Sequence, residues 1–199
     1  MNSIVTMALA AFLVAGTVTA ADVTPDAMVK STVEDVLGVI KQNKDRRALR
    51  ELAEQKVVSH FDFKEMTRLA VGQAWRDANP AQQQALEDAF RSLLVSTYTS
   101  ALSRVAGAER SVEVKPVQPQ RGQADVVVKT LVKEAGRQPV AIDYRMTNNA
   151  GSWKIFDVMV ENLSLVTTYR SSFSEEIGRS GIDGLIKALN EKNRSLSKG

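Results

Sequence analysis

An α+β domain is the fold class this sequence predicts, on three observations. Apolar residues recur at helical spacing from Thr24 to about residue 107, alternate with polar ones at spacing two from 110 to 161, and return to helical spacing after 163. Helices and strands segregated in this way give a sheet with helices gathered on it, not a βαβ alternation. The alternating segment yields four strands in a curved antiparallel meander, whose apolar face helices must cover.

Each helix has a local cause. Thr24-Pro25 opens the first, with a capping hydroxyl and then proline at the first helical position. Met28, Val29, Val33, Val36, Leu37 and Ile40 follow on one face. A second helix is expected from Arg46 to Val58, with Leu49, Leu52, Ala53 and Val57 inward. Asp62 caps a third, carrying Phe63, Met66, Leu69 and Ala70 and ending between Gly72 and Trp75. Asn79-Pro80 starts the longest, which reaches Val105 before Ala106-Gly107 stops it. Its stripe of Leu86, Phe90, Leu94, Thr97, Ala101 and Val105 is widened by Leu93, Tyr98 and Leu102 into a broad apolar arc.

The strands follow from period two. They are expected at Ser111 to Val117, Asp125 to Lys133, Pro139 to Thr147 and Trp153 to Val160, with a hairpin turn at Asn148-Asn149-Ala150-Gly151. Val126, Val128, Thr130 and Val132 share a face, as do Val140, Ile142, Tyr144 and Met146. Phe156, Val158 and Val160 complete that inner row, leaving Asp143, Arg145 and Asp157 outside. Two closing helices then carry Val166, Tyr169, Phe173 and Ile177, and Leu185, Ile186 and Leu189, before a polar tail expected to fray.

Composition narrows the chemistry. The chain has 199 residues, 44% of them hydrophobic and 25% charged, as in an ordinary globular protein. A net charge of +3 with no basic run argues against nucleic acid as a partner. There is no cysteine and only one histidine, His60, which excludes disulfides, thiolate chemistry and histidine-rich metal sites. From Met1 to Ala21 no side chain is charged, Ile4 to Val14 is nearly all apolar, and Val18-Thr19-Ala20 provides a small-residue cleavage pattern. This stretch is expected to be a cleaved signal peptide rather than a membrane span. One domain, residues 22–199, then remains: helical over 22–107, a sheet over 110–161 and closing helices over 163–195.

No catalytic constellation emerges. The carboxylate pairs Glu51 with Glu54, Glu87 with Asp88, and Glu175 with Glu176 fall on polar helix faces. Asp157, inside a strand, is expected to pair with Arg145 across the sheet's outer face. His60, at a helix start, reads as a partly buried structural histidine, and the scattered glycines form no phosphate-cradling loop. On spacing alone the aromatics and large aliphatics read as core, because periodicity does not reveal a void.

The runs HFDFKEMTRLAVGQAW and ALEDAFRSLLVSTYTSAL, followed by GSWKIFDVMVENLSLVTTYRSSFSEEI and GIDGLIKAL, resemble the periplasmic component of the Mla (maintenance of lipid asymmetry) pathway, the toluene-tolerance family. Phe61-Asp62-Phe63, Trp75-Arg76, Thr97-Tyr98, Trp153-Lys154, Phe156-Asp157-Val158 and Tyr169-Arg170 carry the resemblance most specifically. Where this family usually reads glycine, the chain has Asn162. The resemblance implies an NTF2-like or cystatin-like cone around an apolar cavity. It also implies a periplasmic carrier that shuttles phospholipid between an outer-membrane lipoprotein–porin complex and an inner-membrane ABC transporter complex, as a monomer that only transiently meets membranes. Phospholipid would be cargo, with no cofactor and no catalytic residue. Combined with the inner rows, this makes Leu94, Tyr98, Leu102, Val126, Val128, Tyr144, Met146, Phe156, Val158 and Tyr169 the expected acyl-chain pocket. The alternative is an NTF2-like enzyme acting on an apolar small molecule, with Asp157 and Tyr144 or Tyr98 as its working groups.

Overall fold

The computed structural model describes residues 23–42, 45–104, 109–120, 122–149 and 151–198. The expected signal peptide and Val105 lie outside the described residues, as do the side chains of Ile40 and Leu102. Helix α1 spans Pro25–Gln42, α2 Arg46–Leu52, α3 Phe63–Val71 and α4 Pro80–Arg104. Strands β1 (Arg110–Val114), β2 (Asp125–Glu134), β3 (Val140–Asn149), β4 (Ser152–Val160) and β5 (Leu163–Ser164) precede α5, Leu165–Lys198.

The predicted helix starts rest on side-chain caps. Asp62 Oδ1 accepts from Glu65 N at 2.9 Å. At α4, Asn79 Oδ1 accepts from Gln82 N at 2.9 Å while Gln82 Oε1 accepts from Asn79 N at 3.1 Å, a reciprocal box that satisfies two otherwise orphaned amides. Helix α2 departs from expectation. It stops at Leu52 and continues as a π-helical turn, Ala53–Val57, and a short 3₁₀ turn, Val58–His60. The wider π turn re-aims side chains that a regular helix would stack behind one another.

The sheet is an open antiparallel meander in the order β1-β2-β3-β4-β5. Five strands replace the expected four because β4 turns tightly at Glu161-Asn162 and pairs with Leu163–Ser164. Val126 lies opposite Met146, Val128 opposite Tyr144 and Thr130 opposite Ile142, as the alternation predicts. Between β3 and β4 the register slips: Arg145 faces Asp157, but Met146 faces Ile155. Phe156 is thus the extra residue of a β-bulge. Val158 and Val160 remain on the inner face, whereas Phe156 turns outward beneath Arg145, whose guanidinium carbon lies 4.8 Å from the ring centre.

Two hydrophobic clusters hold the elements together. One joins α3, α4 and α5 through Met66, Leu86, Phe90, Phe173, Leu185 and Leu189. The other joins α1 to the sheet through Met28, Val29, Val126, Val128, Met146 and Ile155. Helix α5 comprises two helices meeting at Gly181, whose φ of 71° and ψ of −177° are open essentially to glycine alone. Its C-terminal part stays helical to Lys198 instead of fraying, because Asn193 Nδ2 donates to Ala89 O at 2.9 Å and Leu196 packs on the first cluster.

Candidate lipid-binding site

The π turn, α4 and the inner sheet face do not close on one another. They leave an apolar chamber of about 260 Å³, into which Leu94, Tyr98 and Thr99 project from α4 and Val57 and Val58 from the irregular turns. Tyr144, Val158 and Val160 form its sheet wall, and Leu165 its edge. A second chamber of about 320 Å³ lies between α1 and the sheet, lined by Val33, Val36 and Leu37 on one side and Val112, Val132 and Ile155 on the other. Val57, Phe61, Ile142 and Tyr144 belong to both linings and form the wall between the chambers. Both linings are predominantly hydrocarbon, the kind of surface that takes up apolar molecules: an engineered apolar cavity of about 150 Å³ binds benzene.

A third cavity, about 460 Å³, is of opposite character. It shares Val58, Phe61 and Phe63 with the first chamber, but its other walls are polar: Asp62, Lys64, Glu87, Asp88, Arg91 and Lys154 with the amides of Gln84 and Asn149. Burial, followed by the neighbouring Asp88 charge, raises the Glu87 carboxyl above its ordinary value. Arg91 pairs with Glu54 at 2.5 Å, and Lys154 Nζ donates to Ser59 O at 2.6 Å. Phe61 lines all three spaces. It is held there by its N–H bond to Val58 O at 3.1 Å and by a ring stack with Phe63 at 5.7 Å.

The structure divides the ten residues expected around a pocket. Leu94, Tyr98, Tyr144 and Val158 line the first chamber. Val126, Val128 and Met146 face the same way but are packed solid against Met28, Val29 and Trp153, because α1 sits tight on that end of the sheet. Phe156 is carried to the outer face by the bulge. Tyr169 packs instead in an aromatic group, its ring centre 4.9 Å from that of Phe90, edge to face, and 5.6 Å from that of Phe173. The side chain of Leu102 is outside the described residues.

Sequence reasoning missed the contribution of α1 and of residues 53–61. The only signal for the latter was Val57-Val58 preceding Phe61-Asp62-Phe63, more apolar side chains than one regular helix face can bury.

Neither chamber has a carboxylate in its lining. Asp157, which the enzyme alternative needs, is turned to the other side of β4 and is only 1% exposed. Its nearest partners lie in β5 and α5: Ser164 Oγ donates to it at 2.6 Å and Val166 N at 3.1 Å, with Arg145 further off at 3.7 Å. The expected cross-strand ion pair is therefore secondary to an anchor for α5. Among the described residues no group of histidine and carboxylate side chains could hold a metal ion, and no helix is long and apolar enough to cross a membrane.

Known proteins resemble this chain in sequence and fold. The chain is similar to a phospholipid-binding protein from Ralstonia solanacearum, solved in complex with a phospholipid: 38% identity, TM-score 0.77, covering 86% of this chain and 98% of that one. It is 26% identical over 175 residues to the toluene tolerance protein ttg2D of Pseudomonas putida, covering 83% of this chain and 78% of the relative. Over 196 residues it is 19% identical to the intermembrane phospholipid transport system binding protein MlaC of Haemophilus influenzae, covering 95% and 91%. The family model described as MlaC protein matches residues 30–191, nearly the whole of the described fold, and the chain belongs to the MlaC family.

Proposed function

We propose that this protein is a periplasmic phospholipid carrier of the Mla pathway, moving lipid as a monomer between an outer-membrane lipoprotein–porin complex and an inner-membrane ABC transporter complex. The observation that carries this reading is the position of Phe61, common to two apolar chambers and one polar cleft. A diacyl phospholipid has that same branching: two hydrocarbon chains and one charged head group meeting at a glycerol. In this reading each chamber takes one chain. The head group lies in the cleft, where Lys64, Arg91 and Lys154 face phosphate and Asp62, Glu87 and Asp88 face any cationic moiety.

The energetics agree. Exposing acyl chains to water costs about 0.8 kcal/mol per methylene, roughly 20 kcal/mol or more for two chains, so crossing an aqueous gap unaided is negligibly slow. The apolar lining of the first chamber is surface that acyl chains would take out of contact with water. The work of the protein is then to dissolve, not to react. The enzyme alternative loses support because Asp157 is committed to Ser164 and Val166.

Native mass spectrometry of protein purified from a bacterial host tests the reading. One diacyl phospholipid per chain is expected, and a monomer that is lipid-free and takes up none from vesicles would overturn it.

A further inference from the structure

The two chambers expose few polar side-chain atoms, and nearly all are engaged. Thr99 Oγ1 donates to Val95 O at 2.6 Å and Thr32 Oγ1 to Met28 O at 2.8 Å, so neither hydroxyl has a proton left to offer. The Arg110 guanidinium, beside the second chamber, is held by Glu134 at 2.6 Å. Tyr98 stands at the margin, 43% exposed, where water reaches it.

Tyr144 differs from all of these. It lies on the wall between the chambers with Val57, Phe61 and Ile142. It keeps part of its surface free yet is enclosed by protein, as a side chain fronting a void must be. Its hydroxyl has no hydrogen-bond partner among the described residues, and desolvation by burial pushes its pKa up to about 12. A neutral phenol that fronts both chambers without a protein partner is a donor open to any acceptor that enters them.

The acceptor is set by the cargo's geometry. Two chains that part into two chambers must part at their common wall, which brings the glycerol and its two acyl linkages to Tyr144 and Phe61. An ester carbonyl oxygen accepts and donates nothing, so the spent threonine hydroxyls cannot serve it. We propose that the Tyr144 hydroxyl donates a hydrogen bond to an acyl ester carbonyl of the bound lipid, and so makes the carrier selective for diacyl (ester-linked) over dialkyl (ether-linked) lipids. This rests on the carrier reading above.

Delipidated protein can be loaded from vesicles holding equal amounts of diester and diether phosphatidylethanolamine of the same chain length, and the bound lipids quantified by mass spectrometry. The wild type is expected to enrich the diester about two- to tenfold, the worth of one net hydrogen bond. Tyr144→Phe should bring that ratio down to near one, through weaker binding of the diester. The infrared ester carbonyl band of bound lipid should lie at lower frequency in the wild type than in Tyr144→Phe. A wild-type ratio near one, or an unchanged ratio in the variant, overturns the role of Tyr144. Uptake of neither lipid by the wild type overturns the carrier reading itself. If the variant does not fold, the wild-type ratio still decides.

Discussion

The Asp157 carboxylate accepts the amide of Val166 at 3.1 Å, so a residue of β4 holds the first turn of α5. Ser164 completes the joint: its hydroxyl donates to Asp157 at 2.6 Å and accepts from Thr167 N at 3.0 Å. A negative charge at a helix N-terminus is favourable in itself, and here it also satisfies amides that would otherwise be orphaned. Replacing Asp157 by alanine leaves the Val166 amide and the Ser164 hydroxyl without their acceptor. A loss of about 3 kcal/mol is expected in urea unfolding. Asp157→Asn, which keeps an acceptor, should lose less, and its folded fraction should still carry lipid.

Filling and charging the inner row should have opposite results at its two ends. Val158 borders the first chamber, so Val158→Phe has room. Occupying some 50 Å³ of void is expected to stabilise the lipid-free protein by about 1 kcal/mol while lowering lipid uptake. Val128 is fully buried in solid packing, so Val128→Glu should cost several kcal/mol and abolish folding. Thermal melts of delipidated protein, paired with lipid extraction, distinguish the two.

The turn joining β4 to β5 places Glu161 and Asn162 at φ of 50° and 65°, the left-handed region that glycine occupies without strain. Asn162→Gly is expected to stabilise the protein by a few tenths to about 1 kcal/mol, read as a raised urea midpoint at unchanged slope. Glu161 is a poorer choice, because its side chain accepts from Ala141 N at 2.7 Å.

Acid stability should depend measurably on His60. Burial, and secondarily the Lys154 charge, lowers its pKa below 6.5. The folded protein therefore favours the neutral ring. This contribution is fully present above about pH 6.5 and is lost as the pH falls through the lower folded value. Because the chain has one histidine, a single imidazole signal in NMR reports the titration, with a midpoint expected below 6.5. Lys154→Met should move it upward only in part, and His60→Gln should flatten the acid limb of the stability curve.

Gly181 allows the second half of α5 to fold back so that Leu185 and Leu189 reach the cluster around Phe90. An alanine there meets no neighbour but must adopt a φ of 71°, at an expected cost of 1–3 kcal/mol by urea titration.

What the sequence by itself determined was the local order. The caps at Asp62 and Asn79, the period of β2 and β3, the exclusion of Asp157 from the inner face and the family resemblance all depend on residues close together in the chain. What only the tertiary structure decided was where space remains. Alternation orients Val128 and Tyr144 alike, yet Val128 is packed against α1 and Tyr144 fronts a void, because the gap depends on how far α1 and α4 stand off the sheet. The bulge that removes Phe156 from the inner row and the π turn that brings Val57 into both chambers are of the same kind. Each shifts a side chain by one register position, a change set by the fit between distant elements, and local spacing has no means to express it.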